Sequence, residues 1–161
     1  MLDEILLENA QRIRTDERMC FAMSVPYFIS NDHLNNAQMQ EIQATYGKID
    51  KDVALTQFNE IYQYCTRSFR IYLVPSAPGL QDQVYVSNLG AVFDGGKEKI
   101  PLVVLSRFRA KGRPGEELVG EPFFQNLGYR TVRSPYFFEG EADIKSIAPG
   151  VYVGAAGMRT S

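Results

Sequence analysis

The sequence predicts an α/β domain assembled from ββαβ units. Two observations carry that prediction. Between residues 84 and 132, two apolar strand-like runs, an amphipathic helical run and a third strand-like run follow in strict order with short, glycine-bearing connections, and a second run of the same kind opens at residue 143. Composition agrees: 161 residues with 45% hydrophobic and 12% aromatic side chains can bury one substantial core.

Taken in chain order, Leu2, Ile5, Leu6 and Ile13 fall near a 3.6-residue period and predict an amino-terminal helix over 3–16, within a segment 1–18 that precedes the α/β domain 19–161. Met19 to Phe28 is dense in apolar and aromatic residues and is stopped by Pro26 and the polar Ser30-Asn31-Asp32, which predicts a buried strand entering a loop. Asp50 is placed to cap a helix over 51–66 whose Val53, Ala54, Phe58, Ile61, Tyr62 and Cys65 share a face, and Phe69–Val74 reads as a buried strand. Val84–Phe93 and Ile100–Leu105 form a predicted hairpin about Asp94-Gly95-Gly96-Lys97, where glycine tolerates the positive φ of a tight turn. The helix Glu116–Leu127 ends at Gly128, and Tyr129–Val132 closes the unit. Asp143–Ile147, a turn at Pro149-Gly150 and Val151–Ala155 begin the next one.

Charge and cysteine content exclude several functions. Seventeen basic against nineteen acidic residues, a formal charge of -2, argue against a protein that neutralises nucleic-acid phosphates. No apolar run reaches the ~20 residues of a membrane span, and Met1-Leu2-Asp3-Glu4 begins acidic where a signal peptide begins basic, so a cytoplasmic address is expected. Cys20 and Cys65 have neither paired spacing nor polar surroundings, which predicts reduced core thiols and no metal site. His33, the single histidine, sits in a polar loop and reads as a surface residue, and Gly95-Gly96 lacks the following Gly-Lys-Ser/Thr that a phosphate cradle requires, so it reads as a hairpin turn.

Several segments resemble the guanidine-modifying, amidinotransferase or pentein superfamily, in particular its dimethylarginine dimethylaminohydrolase-like branch. Residues 50–58 (DKDVALTQF) resemble a helix motif of that branch, with Phe58 where tryptophan is common. Residues 80–90 (LQDQVYVSNLG) resemble its "LPD.VF.AN.G" segment with Gln81 for proline. Ser106-Arg107-Phe108-Arg109, followed by Arg113 and Glu116, resembles its arginine-rich loop. Residues 138–143 (FEGEAD) resemble its "FEGEGD" signature with Ala142 for glycine, and Gly157-Met158-Arg159-Thr160 resembles its "G.RT" stretch. The matches span about residues 20–161 in family order.

The resemblance implies a fold, a chemistry and a site. The fold is a five-fold pseudosymmetric α/β propeller of ββαβ units, in agreement with the unit read from residues 84–132. The chemistry is hydrolysis or amidino transfer on an arginine or methylarginine-like guanidino substrate through a cysteine thiouronium intermediate, with no cofactor and no metal. A guanidinium is a planar fork of donors and needs carboxylates or amides in its plane. The resemblance assigns that anchoring role to Glu139, with Glu141 as the alternative because the spacing to Asp143 aligns either way. It places Asp82 and Asn88 at positions that contact the substrate or its immediate shell, Asn88 as an amide acceptor where several relatives carry aspartate. Arg107 and Arg109, and less closely Arg113, are candidates for holding a substrate carboxylate, although a loop of arginines is equally a solvated connection.

The family's catalytic histidine and cysteine lie beyond the "G.RT" stretch, so the chain is expected to be an amino-terminal portion that is inactive alone. Its open sheet makes self-association an expectation, with no nucleic-acid or membrane partner. The rival expectation is a non-catalytic module that binds a guanidino compound or a protein through the same acidic groove.

Overall fold

The computed structural model describes residues 19–93 and 100–160. The predicted helix over 3–16 and the turn at 94–97 lie outside the described residues. The described residues divide into two compact units, one made of 19–86 with 110–114, the other of 87–109 with 115–160.

The first unit is built on a parallel pair of strands, β1 (Cys20–Ser24) and β2 (Arg70–Val74), in the register Cys20 opposite Arg70 to Ser24 opposite Val74. Parallel neighbours need a long crossover, here supplied by two helices, α1 (Ala37–Tyr46) and α2 (Lys51–Cys65). Asp50 caps α2 as its position predicts: its Oδ1 accepts from the Asp52 and Val53 amides at 3.0 and 3.1 Å. Helix α1 escaped the sequence reading. Its signals are local, an Asn36 side chain accepting from the Met39 amide at 2.8 Å and Gly47 at φ 78 behind its last turn. Met39, Ile42 and Tyr46 are its only large apolar residues, a stripe too sparse to mark a helix, and none of them is buried.

Two expectations for this unit need correction. The segment from Met19 is not a uniformly buried strand; it is a short strand followed by a 3-10 turn at Pro26–Phe28, and Met19 and Phe21 are exposed. Cys20 is likewise exposed and Cys65 half-buried, so neither is a core thiol. A two-stranded sheet offers β1 a single neighbour, too little surface to cover its opening residues.

The second unit contains the predicted ββαβ arrangement. Strand β3 (Gly90–Phe93) pairs antiparallel with β4 (Leu102–Leu105), and β4 pairs parallel with β5 (Arg130–Arg133) across the helix α3 (Glu116–Asn126). Val103 and Leu105 of the central strand are fully enclosed, together with Leu89, Ala91, Phe108 and Phe124, and these form the core of the unit. Gly128 at φ 85 ends α3, with the Tyr129 amide reaching back to the Phe124 carbonyl at 3.0 Å, the closing bond of a Schellman turn. Strands β6 (Ile144–Ala148) and β7 (Val151–Gly154) form a separate antiparallel hairpin whose turn carries Gly150 at φ 75.

The predicted strand 84–93 is shorter than expected. Residues 81–84 turn, Val86–Asn88 form a 3-10 turn, and extended backbone starts at Gly90. The cause is a buried Gln83, whose side chain accepts from the Ala77 amide at 2.6 Å and donates to the Pro75 carbonyl at 3.1 Å. Those two bonds hold the chain against Pro75–Ala77, and the Tyr85 amide then folds back onto the Asp82 carbonyl at 3.0 Å. Periodicity could not reveal this, because a glutamine that substitutes for backbone partners looks polar in sequence.

Candidate functional site

The second unit collects three sequence-distant segments around Glu139. As β4 ends, the Ser106 hydroxyl donates to the Asn88 carbonyl and the Ser106 amide donates to the Leu89 carbonyl at 3.0 Å. Arg107 then forms an isolated antiparallel bridge with Phe138, its amide and carbonyl bonded to those of Phe138 at 2.9 and 3.0 Å. Gly140 completes the join. It sits at φ +61, and a Cβ there would stand 2.8 Å from both the N and O of Gly90 and 2.9 Å from the Asn88 carbonyl carbon. Only glycine permits that approach. Asn88, Arg107 and Glu139, named separately from sequence, are thus neighbours through their backbones.

The acidic signature folds on itself. Asp143 accepts the Glu139 amide proton at 2.6 Å, closing the 3-10 turn Gly140–Ala142, so this carboxylate is a structural acceptor four residues from the one it positions. Glu139 itself is 2% exposed. Its Oε2 lies 3.3 Å from the Nη2 of Arg159, and its Oε1 is buried with no hydrogen-bond partner among the described residues. An orphaned carboxylate oxygen is costly, which makes it the group in this unit that most calls for a donor.

Glu141 differs in every respect. It is half-buried, pairs at 3.6 Å with Lys145 at the start of β6 with both side chains well into solvent, and lines a cleft of about 230 Å³ beside Ala91, Phe93, Ile144 and Tyr152. Such a pair contributes little.

The two loop arginines are exposed, and both are engaged. Their guanidinium carbons lie 5.2 Å (Arg107) and 4.4 Å (Arg109) from the Phe137 ring centroid. Arg107 donates to the Pro135 carbonyl, and Arg109 donates to the Met158 carbonyl at 2.8 Å. The second bond fixes the turn closed by Gly157 and Thr160, which carries Arg159 to Glu139. Arg159 was missed as a site residue, although its motif was noticed, since its partner is twenty positions earlier. Arg113 is 3% exposed, and that burial removes it as a surface carboxylate clamp.

Asp82 belongs to the first unit, in the turn 81–84. It is half-buried and faces the Gln81 amide at 3.5 Å. Gln81 is 3% exposed and brackets His33, accepting from its amide at 2.9 Å and donating to its carbonyl at 3.0 Å. His33 is exposed, as its loop position predicts. The free-standing ion pair of Arg133 with Glu121 lies on the outer surface; the hydrogen bond and then the charge of Glu121 push the Arg133 guanidinium further up.

Known proteins resemble this chain in sequence and in fold. No protein-family profile matches the chain. The chain is 28% identical over 148 residues to N(G),N(G)-dimethylarginine dimethylaminohydrolase of Mycobacterium tuberculosis, covering 91% of this chain and 45% of that protein. It is 31% identical over 128 residues to the bifunctional arginine dihydrolase/ornithine cyclodeaminase AgrE of a Nostoc species, covering 78% of this chain and 17% of that one. Among solved structures, the N-terminal domain of ArgZ bound to product, an arginine dihydrolase of cyanobacteria, superposes with a TM-score of 0.76 at 26% identity over 90% of this chain and 51% of that chain. The chain has a dimethylarginine dimethylaminohydrolase-like, guanidine-modifying fold. The chain spans about half the length of the mycobacterial relative and of the ArgZ domain. A TM-score of 0.62 at 22% identity to the dimethylarginine dimethylaminohydrolase of Pseudomonas aeruginosa supports the fold alone.

Proposed function

We propose that this chain is the acidic, substrate-anchoring portion of a guanidino-group hydrolase acting on arginine or a methylarginine-like compound. The observation that carries the reading is Glu139: a carboxylate 2% exposed, with one oxygen already facing a guanidinium and the other unpartnered. A planar cation that bonds both oxygens satisfies the orphan acceptor and places its carbon over a fixed carboxylate. The relatives' names supply the reaction class, since they are dimethylarginine dimethylaminohydrolase and arginine dihydrolase. Hydrolysis is therefore favoured over amidino transfer, and the parent fold is the five-fold propeller of ββαβ units, to which the 90–133 unit would contribute one blade.

Within this reading Glu139 grips the guanidinium, Asn88 adds an amide acceptor beside it, and the Arg107–Arg109 loop completes the surroundings that this unit offers the substrate. The thiolate that attacks the guanidinium carbon and the histidine that protonates the leaving amine come from outside these 161 residues.

The test is calorimetric titration of L-arginine into the chain and two variants. Glu139→Gln is expected to weaken binding by roughly tenfold or more, as loss of a charge-assisted bidentate contact implies. Glu141→Gln is expected to leave it within about twofold, as for a solvent-exposed pair. The reverse order would move the anchor to Glu141.

A further inference from the structure

We infer that Ser106 is a positioning residue: from the end of β4 its hydroxyl fixes the Asn88 backbone against the loop that carries Glu139. The inference rests on the reading of Asn88 as an acceptor beside the Glu139 anchor, and two observations about Ser106 itself start it. Ser106 is 1% exposed and stands among enclosed apolar neighbours, Leu105 before it and Phe108 two residues on. A hydroxyl in such a place is destabilising unless it is bonded, so alanine would be the more stable occupant if packing alone were at stake. The bond it makes leaves its own strand and reaches the Asn88 carbonyl, 18 positions earlier.

The surrounding backbone shows what that bond holds. The β3–β4 ladder ends at Gly90 opposite Leu105, and the Ser106 amide extends it by donating to the Leu89 carbonyl at 3.0 Å. The Ser106 hydroxyl then serves the next carbonyl back, that of Asn88, which lies in the 3-10 turn Val86–Asn88. One residue on, Arg107 exchanges both backbone bonds with Phe138, the residue before Glu139. The exit of β4 thus grips the Asn88 loop with one residue and the Glu139 loop with the next. Gly140 approaches the same Asn88 carbonyl group so closely that a Cβ on it would stand 2.9 Å from the carbonyl carbon. The Asn88 side chain, whose oxygen accepts from the Ser87 hydroxyl at 3.2 Å, hangs from a peptide unit fixed in this way. A ligand then meets an amide that was placed on folding and does not have to be ordered on binding.

The experiment titrates L-arginine calorimetrically into the full chain, Ser106→Ala, Ser106→Thr, Asn88→Ala, Glu139→Gln and the Ser106→Ala/Asn88→Ala double variant. Ser106→Ala is expected to weaken binding by about three- to tenfold, the loss that follows when a ligand-contacting group loses its support. Ser106→Thr keeps the hydroxyl and is expected to bind within about twofold of the parent. In the Asn88→Ala background the alanine at 106 is expected to add less than about twofold, because an effect routed through Asn88 cannot act twice. Ser106→Cys, nearly isosteric but a weak donor, takes the place of the alanine variant if that one does not fold. Unchanged binding in the variant lacking the hydroxyl, an equal loss in the Asn88→Ala background, or a threonine variant as weak as the alanine one overturns the inference. Asn88→Ala or Glu139→Gln binding as well as the parent overturns instead the reading on which it rests. A second measurement needs no ligand and decides the inference where binding is too weak to titrate. The amide heteronuclear NOE of Asn88 and Leu89 is expected to fall in Ser106→Ala and to recover in Ser106→Thr, with the β6–β7 amides unchanged. No fall, or a fall spread over the whole unit, overturns the positioning role.

Discussion

At the scale of single residues, one glycine decides whether the candidate site exists. Gly140 holds φ +61 with the Gly90 backbone where a side chain would go, and this contact presses the Glu139 loop onto Asn88–Gly90. Gly140→Ala combines a left-handed residue with a backbone clash and is expected to destabilise by about 3 kcal/mol, a fall in melting temperature of roughly 10 °C for a chain of this size. Gly150→Ala is the control, since Gly150 has φ +75 and open space around it, and about 1 kcal/mol is expected there. Equal losses in thermal melts of the two variants would mean that the close approach contributes nothing. The glutamate beside Gly140 was named from its motif, yet its burial and its orphaned oxygen could not be read from sequence, because both depend on segments fifty residues away.

Elements obey their local signals where those signals are short-range. The capping aspartate of α2 sits one residue before the helix, and its bonds to the Asp52 and Val53 amides are the ones its position implies. Asp50→Ala is expected to remove about 1 kcal/mol of helix stability, seen as roughly fivefold faster hydrogen exchange of amides in the first turns of α2, while Asp50→Asn keeps the cap. Unchanged exchange in the alanine variant would show that packing against β2 and the Pro26–Phe28 turn sets the helix end instead. Strand 84–93 and helix α1 failed for opposite reasons. The first carried an apolar, strand-like run but was bent by the buried Gln83, and the second carried caps but only a sparse apolar stripe.

For the whole molecule, the question is whether 161 residues suffice for chemistry. Cys20, Cys65 and His33 all belong to the unit 19–86 with 110–114, and the Glu139 segments belong to the other. The family resemblance matches none of the three to a nucleophile or base, and on that reading the pure chain is expected to form no citrulline from L-arginine or from methylarginines. Colorimetric detection of citrulline that survives in a Cys20→Ser/Cys65→Ser variant would point to contamination, whereas citrulline lost with either serine would place the nucleophile in this chain. The sequence by itself determined the ββαβ order, the capped helix α2, the glycine stop of α3 and the motifs that led to Glu139, Asn88 and Arg107, because each is written in residues a few positions apart. Only the tertiary structure decided that Glu139 is enclosed and Glu141 solvated, that Arg113 is buried and Cys20 exposed, and that Arg159 reaches Glu139. Burial and ion pairing depend on which distant backbones meet, and here they meet through a serine hydroxyl, an isolated bridge and the missing side chain of Gly140.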